Sequence, residues 1–86
     1  EPGFYVEGRY GLRIENMVLC VEDRDGFLRH ETLTLAPISP GLLVPALLTA
    51  GEKSWLNDYH RNVRRALAPG LDSAERRYLE RETRAL

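Results

Sequence analysis

The sequence predicts an α+β fold in which antiparallel strands come first and two or three helices follow. Strand-forming apolar residues dominate up to residue 35, a proline-rich break follows at residues 37–41, and two helix-start signals lie beyond it. The apolar fraction of 43% and the charged fraction of 29% are ordinary for a globular protein. We therefore expect a folded chain.

Three strand signals occupy the first part of the chain. Residues 4–6 form the first, residues 12–21 the strongest, and residues 27–35 the third, after a polar connection at 22–26 that ends in glycine. From Met17 onward both faces of the strongest segment are apolar. This pattern predicts a central strand that is covered on both sides.

A capping box predicts the start of the first long helix. The Thr49 hydroxyl can accept from the backbone N–H of Glu52, whose side chain can reach back to the N-cap. The helix is predicted to run to about Ala68, before a Pro-Gly pair. Its apolar positions fall on one stripe, formed by Trp55, Leu56, Tyr59, Val63 and Leu67.

A second capping box opens another helix. Asp72 is followed three residues later by Glu75, and the helix is predicted to turn Tyr78 and Leu79 inward. Before both helices, Pro45 suits the start of a single helical turn. The second part of the chain is therefore helical.

Charge and cysteine usage exclude several classes of function. A formal net charge of -1 provides no global field for nucleic acid, a membrane surface or acidic substrates. The single cysteine, Cys20, excludes an internal disulfide and fits a reducing compartment. Because Cys20 falls in the apolar strand, we expect it to be buried and inert. No apolar run approaches the length of about 18 residues that a membrane span needs.

Arg13 and Glu15 are the first candidates for chemistry. They lie two apart on a predicted strand, so their side chains point the same way, beside apolar positions. An ionised carboxylate in such surroundings needs a partner or a metal. Two readings are open: a structural ion pair, or a carboxylate ligand oriented by the arginine.

The opening Glu1-Pro2-Gly3 is a weaker signal. A residue before proline is held extended, and Gly3 permits a sharp turn, so the carboxylate of Glu1 can be aimed at a fixed point. The alternative is a surface turn. Because the chain opens on this sequence without an initiator Met, we expect it to come from a longer chain.

Taken together, these residues resemble a known family. The run EPGFYVEGRYGLRIENMVLCVE is similar to the end of the catalytic domain of aminopeptidase P, a pita-bread metallopeptidase of the M24 family. There an E-P-G-[YF]-Y segment precedes the Glu of a G-[IL]-R-I-E-[ND] strand by the offset that separates Glu1 and Glu15. The resemblance continues through HETLTLAPI and TAGEKSWLNDYH, which are typical of the longer, cytosolic type of the enzyme.

The resemblance implies a site and a reaction. Glu15 is expected to bridge two divalent metal ions, and Glu1 to ligate one of them and accept a proton from the attacking water. Arg13 is expected to orient the carboxylate. Mn²⁺ is the implied metal, with Zn²⁺ or Co²⁺ as alternatives. The reaction is removal of an N-terminal residue that precedes proline, so the implied substrates are peptides with proline in second position.

The chain departs from the family pattern in one respect. The two Asp ligands and the His ligand of the family, with its substrate-contacting histidines, have no counterparts here, so we expect the chain alone to be inactive. Asp23 and Asp25 are interpreted as parts of a solvated turn. His30 and Glu31 are adjacent on a strand, face opposite sides and are not expected to share a metal.

The resemblance also implies an organisation. Residues 1–38 would be the last strands of the catalytic domain and residues 39–86 a helical C-terminal extension. The implied partners are the remainder of the catalytic domain and a second copy of the chain in a cytoplasmic homodimer. Two other hypotheses stay open: a non-catalytic dimerisation module that uses the helical region from Thr49 onward, and a free-standing adaptor in which the Arg13–Glu15 pair is structural.

The helices offer no further catalytic candidate. His60 is interpreted as a hydrogen-bonded structural histidine, because it falls at the inward edge of the first helix. Arg61, Arg64 and Arg65 form a basic edge, interpreted as a solvated face or a dimer contact.

Overall fold

Strands precede helices in the structure, a computed structural model that describes residues 2–86, and this order confirms the α+β class. The chain divides into two compact units, one ending at Thr34 and the other spanning Leu35–Leu86. The strands of the first unit are β1 (Phe4–Val6), β2 (Tyr10–Leu12), β3 (Val18–Glu22) and β4 (Leu28–Thr32). The helices of the second unit are α1 (Ala50–Leu67) and α2 (Ser73–Glu82).

Two antiparallel hairpins make up the first unit. In the first, Phe4 pairs with Leu12, and in the second, Val18 pairs with Thr32. Gly8, with φ of 68°, closes the first connection, where the Arg9 N–H donates to the Val6 carbonyl at 3.0 Å. Each hairpin therefore joins two consecutive strands, β1 with β2 and β3 with β4.

The prediction of one strand over residues 12–21 is wrong, because the segment between Leu12 and Val18 is not in a ladder. Continued beyond Phe4 and Leu12, the β1–β2 register would pair Gly3 with Arg13 and then Pro2, which has no N–H to donate, with Ile14. Residues 13–17 link the two hairpins. Just outside the second ladder, the Met17 carbonyl accepts from the Leu33 N–H at 2.9 Å.

The expected burial of this segment is also wrong within residues 2–86. Val18 and Leu19 are 48% and 49% exposed, and Met17 is 70% exposed. Cys20, which was expected to be buried, is exposed as well. Two paired strands cannot cover both of their own faces, so covering this sheet needs atoms beyond those of the two hairpins.

Both capping boxes form as predicted. Glu52 N–H donates to Thr49 Oγ1 at 3.2 Å while the Thr49 N–H donates to Glu52 Oε2 at 2.7 Å. The Asp72 carboxylate likewise accepts from the Glu75 N–H at 2.9 Å. Pro45 begins a short 3-10 turn, again as predicted. Within residues 2–86, neither helix combines the length and apolar content needed to cross a membrane.

The core of the helical unit is one cluster, which consists of Leu56, Tyr59, Val63 and Leu79. The predicted stripe on α1 is thus largely confirmed, with one error: Trp55 is 55% exposed and stacks on Tyr59 at 5.5 Å between ring centroids. Tyr78, predicted to point inward, is 57% exposed beneath the Arg81 guanidinium. Both errors concern amphipathic aromatic rings at the border of a stripe.

Side-chain bonds to the backbone tie the end of the chain to α1. Arg64 donates to the backbone carbonyl and the hydroxyl of Thr83, which is buried after the last turn of α2. Asn57 Oδ1 accepts from the Leu86 N–H at 3.0 Å. The interpretation of Arg64 as part of a solvated face is therefore wrong, because its guanidinium caps α2.

The segment before the helices is tied to the same helix. Tyr59 donates its hydroxyl to the Ala36 carbonyl at 2.7 Å, and the Ile38 N–H donates to His60 Nε2 at 3.1 Å. His60 is only 1% exposed. The interpretation of His60 as a hydrogen-bonded structural residue is confirmed.

Replacing Thr49 with Ala is expected to destabilise the start of α1 by about 1 kcal/mol, because the Glu52 N–H loses its acceptor. Amide exchange over the first turn measures the effect. Ser54→Ala, which removes an exposed hydroxyl inside the same helix, is the matched control and should change exchange little. Equal effects of the two substitutions would contradict the role of the cap.

Candidate active site

Arg13 and Glu15 meet as their spacing predicts. Arg13 Nε lies 3.1 Å from Glu15 Oε1, and the two side chains are 40% and 63% exposed. Both residues lie in the link between β2 and β3, outside either ladder. The arginine thus holds one carboxylate oxygen, and the carboxylate remains largely open to solvent.

The other predicted ligand, Glu1, lies outside the described residues. The described part of its motif begins at Pro2 and leads through Gly3 into β1. The Arg13–Glu15 pair is therefore the part of the predicted site that lies within the described residues.

Tyr5 is a residue of this region that the sequence reasoning missed. A Cβ added to Gly3 would lie 2.6 Å from Tyr5 Oη and 2.8 Å from Arg13 Cγ. A Cβ on Gly11, the cross-strand partner of Tyr5, would lie 2.7 Å from Tyr5 Cδ1. The Tyr5 ring occupies the space that two absent side chains leave, and both its hydroxyl and the stem of Arg13 lie against Gly3. The signal was present in the sequence as glycines on either side of an aromatic strand residue.

A cleft of about 300 Å³ opens beside Arg13. Its lining is mostly apolar and consists of Pro2, Gly3, Phe4, Leu12, Arg13 and Ile14. The cleft thus places apolar surface next to a cation that already holds a carboxylate.

The described residues do not by themselves complete a metal site. No group of three or more His, Cys, Asp or Glu side chains in residues 2–86 is arranged to hold an ion. Glu15 nevertheless has the donor chemistry that a hard divalent ion requires, since its carboxylate is exposed and oriented by Arg13. Such an arrangement can contribute one carboxylate to a centre whose other ligands come from elsewhere.

The other acidic and histidine side chains considered as metal ligands belong to the β3–β4 hairpin and are not part of the Arg13–Glu15 pair. Asp23 forms an ion pair with Arg29 at 3.9 Å, and Asp25 lies exposed in the turn after β3. His30 stands opposite Cys20 in the β3–β4 ladder, whereas Glu31 stands opposite Leu19. His30 and Glu31 therefore face opposite sides of the sheet, as predicted.

Comparison with known proteins defines the class. Residues 26–86 match the family described as the C-terminal region of peptidase_M24. The matched range covers β4 and the whole helical unit. The chain therefore belongs to the M24 peptidase family, and it corresponds to the C-terminal region of those enzymes.

The relatives narrow the class further. The chain is 41% identical over 92 residues to the "Probable Xaa-Pro aminopeptidase P" of Coprinopsis cinerea, with 96% of the chain and 15% of that protein covered. It is 40% identical over 95 residues to the protein of the same name from Ajellomyces dermatitidis, with 100% of the chain and 15% of that protein covered.

A solved structure is similar over almost the whole chain. The X-prolyl aminopeptidase from Caenorhabditis elegans, described as a cytosolic enzyme with a di-nuclear active site, matches with a TM-score of 0.85 and 32% sequence identity. The match covers 99% of this chain and 15% of that one. The chain thus spans about 15% of the length of the proteins it matches.

Gly3→Ala is expected to destabilise the β1–β2 hairpin by less than about 1 kcal/mol, because the new methyl group must displace the Arg13 stem and the outer end of the Tyr5 ring, which is 60% exposed and free to shift. Amide exchange of β1 and β2 measures this. At Gly41, an added Cβ meets nothing nearer than Ser39 Oγ at 3.8 Å, so Gly41→Ala is the control. Unchanged protection of the hairpin in Gly3→Ala would contradict the packing role of this glycine.

Proposed function

We propose that this chain is the C-terminal part of an Xaa-Pro aminopeptidase, to which it supplies Glu15 and Glu1 as ligands of a dinuclear metal centre. The observation that carries the proposal is the exposed Glu15 carboxylate, held by Arg13 at 3.1 Å. Family membership and the di-nuclear site described for the nematode enzyme support it. The substrates proposed are peptides with proline in second position.

Each residue of the proposed site has a separate task. Glu15 and Glu1 would hold the metal ions through their carboxylate oxygens, and Glu1 would also accept a proton from water. Arg13 fixes the orientation of Glu15 and offsets negative charge in the ligand cluster. These residues would hold two divalent ions, whose chemistry when bound would be a water of lowered pKa and a polarised scissile carbonyl. Mn²⁺ suits these hard oxygens, and Zn²⁺ and Co²⁺ are alternatives.

The surroundings of the proposed site come from a longer protein. The relatives are several times longer than this chain, and three-ligand groups are absent from residues 2–86. Exposed apolar residues of the first unit such as Met17 and Leu19 provide a surface for the remainder of the catalytic domain. The chain alone is then inactive. The cytosol is the proposed compartment, in line with the description of the nematode enzyme.

In the intact protein, Glu15→Gln is expected to remove at least one bound ion and to lower Xaa-Pro cleavage by about 100-fold or more, since losing a ligand costs more than losing its outer partner. Metal analysis of the purified protein and peptide cleavage measure the two effects. Arg13→Lys keeps the charge without the planar fork and should lower activity by about 10–100-fold.

Glu31→Gln is the matched control, because Glu31 is also an exposed glutamate paired with an arginine: its side chain is 54% exposed and lies 3.9 Å from Arg29. It should leave metal content and cleavage unchanged. Full metal content and normal cleavage in Glu15→Gln would overturn the proposal and would favour a structural role for the Arg13–Glu15 ion pair.

A second candidate function is a dimerisation module built on the helical unit. The observation in its favour is a set of exposed apolar side chains: Leu42 at 75%, Val44 at 58%, Leu47 at 80% and Trp55 at 55%. Surfaces of this kind mark protein contacts. A homodimer that forms through the helical unit is compatible with the peptidase activity proposed above.

Leu47→Lys in the intact protein tests this second candidate. The substitution is expected to weaken dimerisation by at least about tenfold in dissociation constant, because a charge enters an apolar contact. Sedimentation across protein concentrations measures it. Tyr78→Lys alters an exposed apolar residue of α2 and serves as the control. A dimer of unchanged strength in Leu47→Lys would exclude Leu47 from the interface.

A further inference from the structure

Two neighbouring residues of α1 hold the segment of residues 36–39. The Ala36 carbonyl accepts from the Tyr59 hydroxyl at 2.7 Å, and the Ile38 N–H donates to His60 Nε2 at 3.1 Å. These bonds flank Pro37, which has no N–H of its own. Together they satisfy the polar backbone groups on either side of the proline.

The bond from Ile38 fixes the state of the imidazole. Nε2 can accept an N–H only when it carries no proton, so the neutral ring has its proton on Nδ1. Nδ1 is buried and has no hydrogen-bond partner among residues 2–86. His60 is thus a neutral ring with one nitrogen satisfied and the other enclosed without an acceptor.

We propose that His60 is a pH-sensitive lock on the segment of residues 36–39: the neutral ring holds the Ile38 N–H, and the protonated ring releases it. If Nε2 carried a proton, two donors, the Nε2–H and the Ile38 N–H, would face each other across the 3.1 Å that now separates the two nitrogens. The ring and the segment must then separate, or the ring must turn away from α1.

The surroundings make the charged ring unfavourable. Burial lowers the pKa of His60, and the positive charge of Arg64 acts in the same direction. Arg64 stays beside the ring because it bonds to Thr83 at the end of α2. A protonated His60 would therefore be a buried cation close to a second cation.

Among residues 2–86, no carboxylate is bonded to the ring to compensate for that charge. The segment of residues 36–39 has no titratable side chain. From α2, Glu82 approaches the segment, accepting from Ser39 Oγ at 3.4 Å, and its other oxygen is paired with Arg81 at 3.1 Å. Glu82 thus holds the end of the segment and does not bond to the imidazole.

The sign of the pH dependence follows from the lowered pKa. The fold favours the neutral ring, so the stabilisation is complete above the unfolded value of about 6.5 and is lost as pH falls through the lower folded value. Between about 6.5 and the folded value, each pH unit of acidification should favour the released segment by up to about tenfold, because release takes up one proton, and below the folded value the effect levels off. Acid therefore loosens the segment, and alkali restores it.

Exchange of the Ile38 amide in the intact protein tests the lock. Residue-resolved hydrogen exchange is followed between about pH 8 and pH 5, and each rate is divided by the intrinsic rate at that pH. Protection should be constant at high pH and should fall on acidification by up to about tenfold per pH unit. In His60→Gln, where an amide oxygen can accept the same N–H without titrating, protection should stay level.

Two comparisons make the result decisive. Tyr59→Phe removes the neighbouring bond to Ala36, so it should lower protection at every pH and leave the pH dependence in place. Exchange at the imidazole C2 position of His60 in the unaltered protein reports its protonation midpoint without any substitution. Ile38 protection should fall as the pH drops toward that midpoint and should level off below it. Protection that is level in the unaltered protein, or that falls equally in a folded His60→Gln, would overturn the lock.

Discussion

The buried face of α1 is the constraint on which the helical unit depends. Leu56, Tyr59, His60 and Val63 line it, and the elements on either side of the helix in sequence are attached there. The apolar cluster is small for a unit of this length, so apolar burial alone gives limited stability. Directional bonds add to it: two capping boxes fix the helix starts, and Arg64 and Asn57 fix the end of the chain.

Stability and the proposed chemistry belong to different units. The strand unit has almost no buried residue, yet it contains the Arg13–Glu15 pair and the cleft beside it. Its local order comes from backbone features: Pro2 ends a ladder, and glycines let the Tyr5 ring lie against the main chain. A ligand-bearing segment of this kind gains rigidity when further protein covers it.

The sequence was most informative where a local rule decides the structure. The caps at Thr49 and Asp72 and the contact between Arg13 and Glu15 all follow from chemistry within a few residues. It was less informative where a distant partner decides. Periodicity detected an apolar strand, but it could not reveal what covers Cys20 or which strand would pair with residues 13–17. Arg64 was misjudged for the same reason, since its partner is 19 residues away.

The ties between α1 and the segment before it have a consequence for the order of folding. A chain is synthesised from its N-terminus, so Ala36 and Ile38 leave the ribosome before Tyr59 and His60, which follow 23 and 22 residues later. Glu82, the hydrogen-bond partner of Ser39, is synthesised later still, because it lies 43 residues further along the chain. Until those partners arrive, the proline-rich segment keeps its backbone groups in contact with water. The segment made first in this unit is thus among the last to be fixed in place.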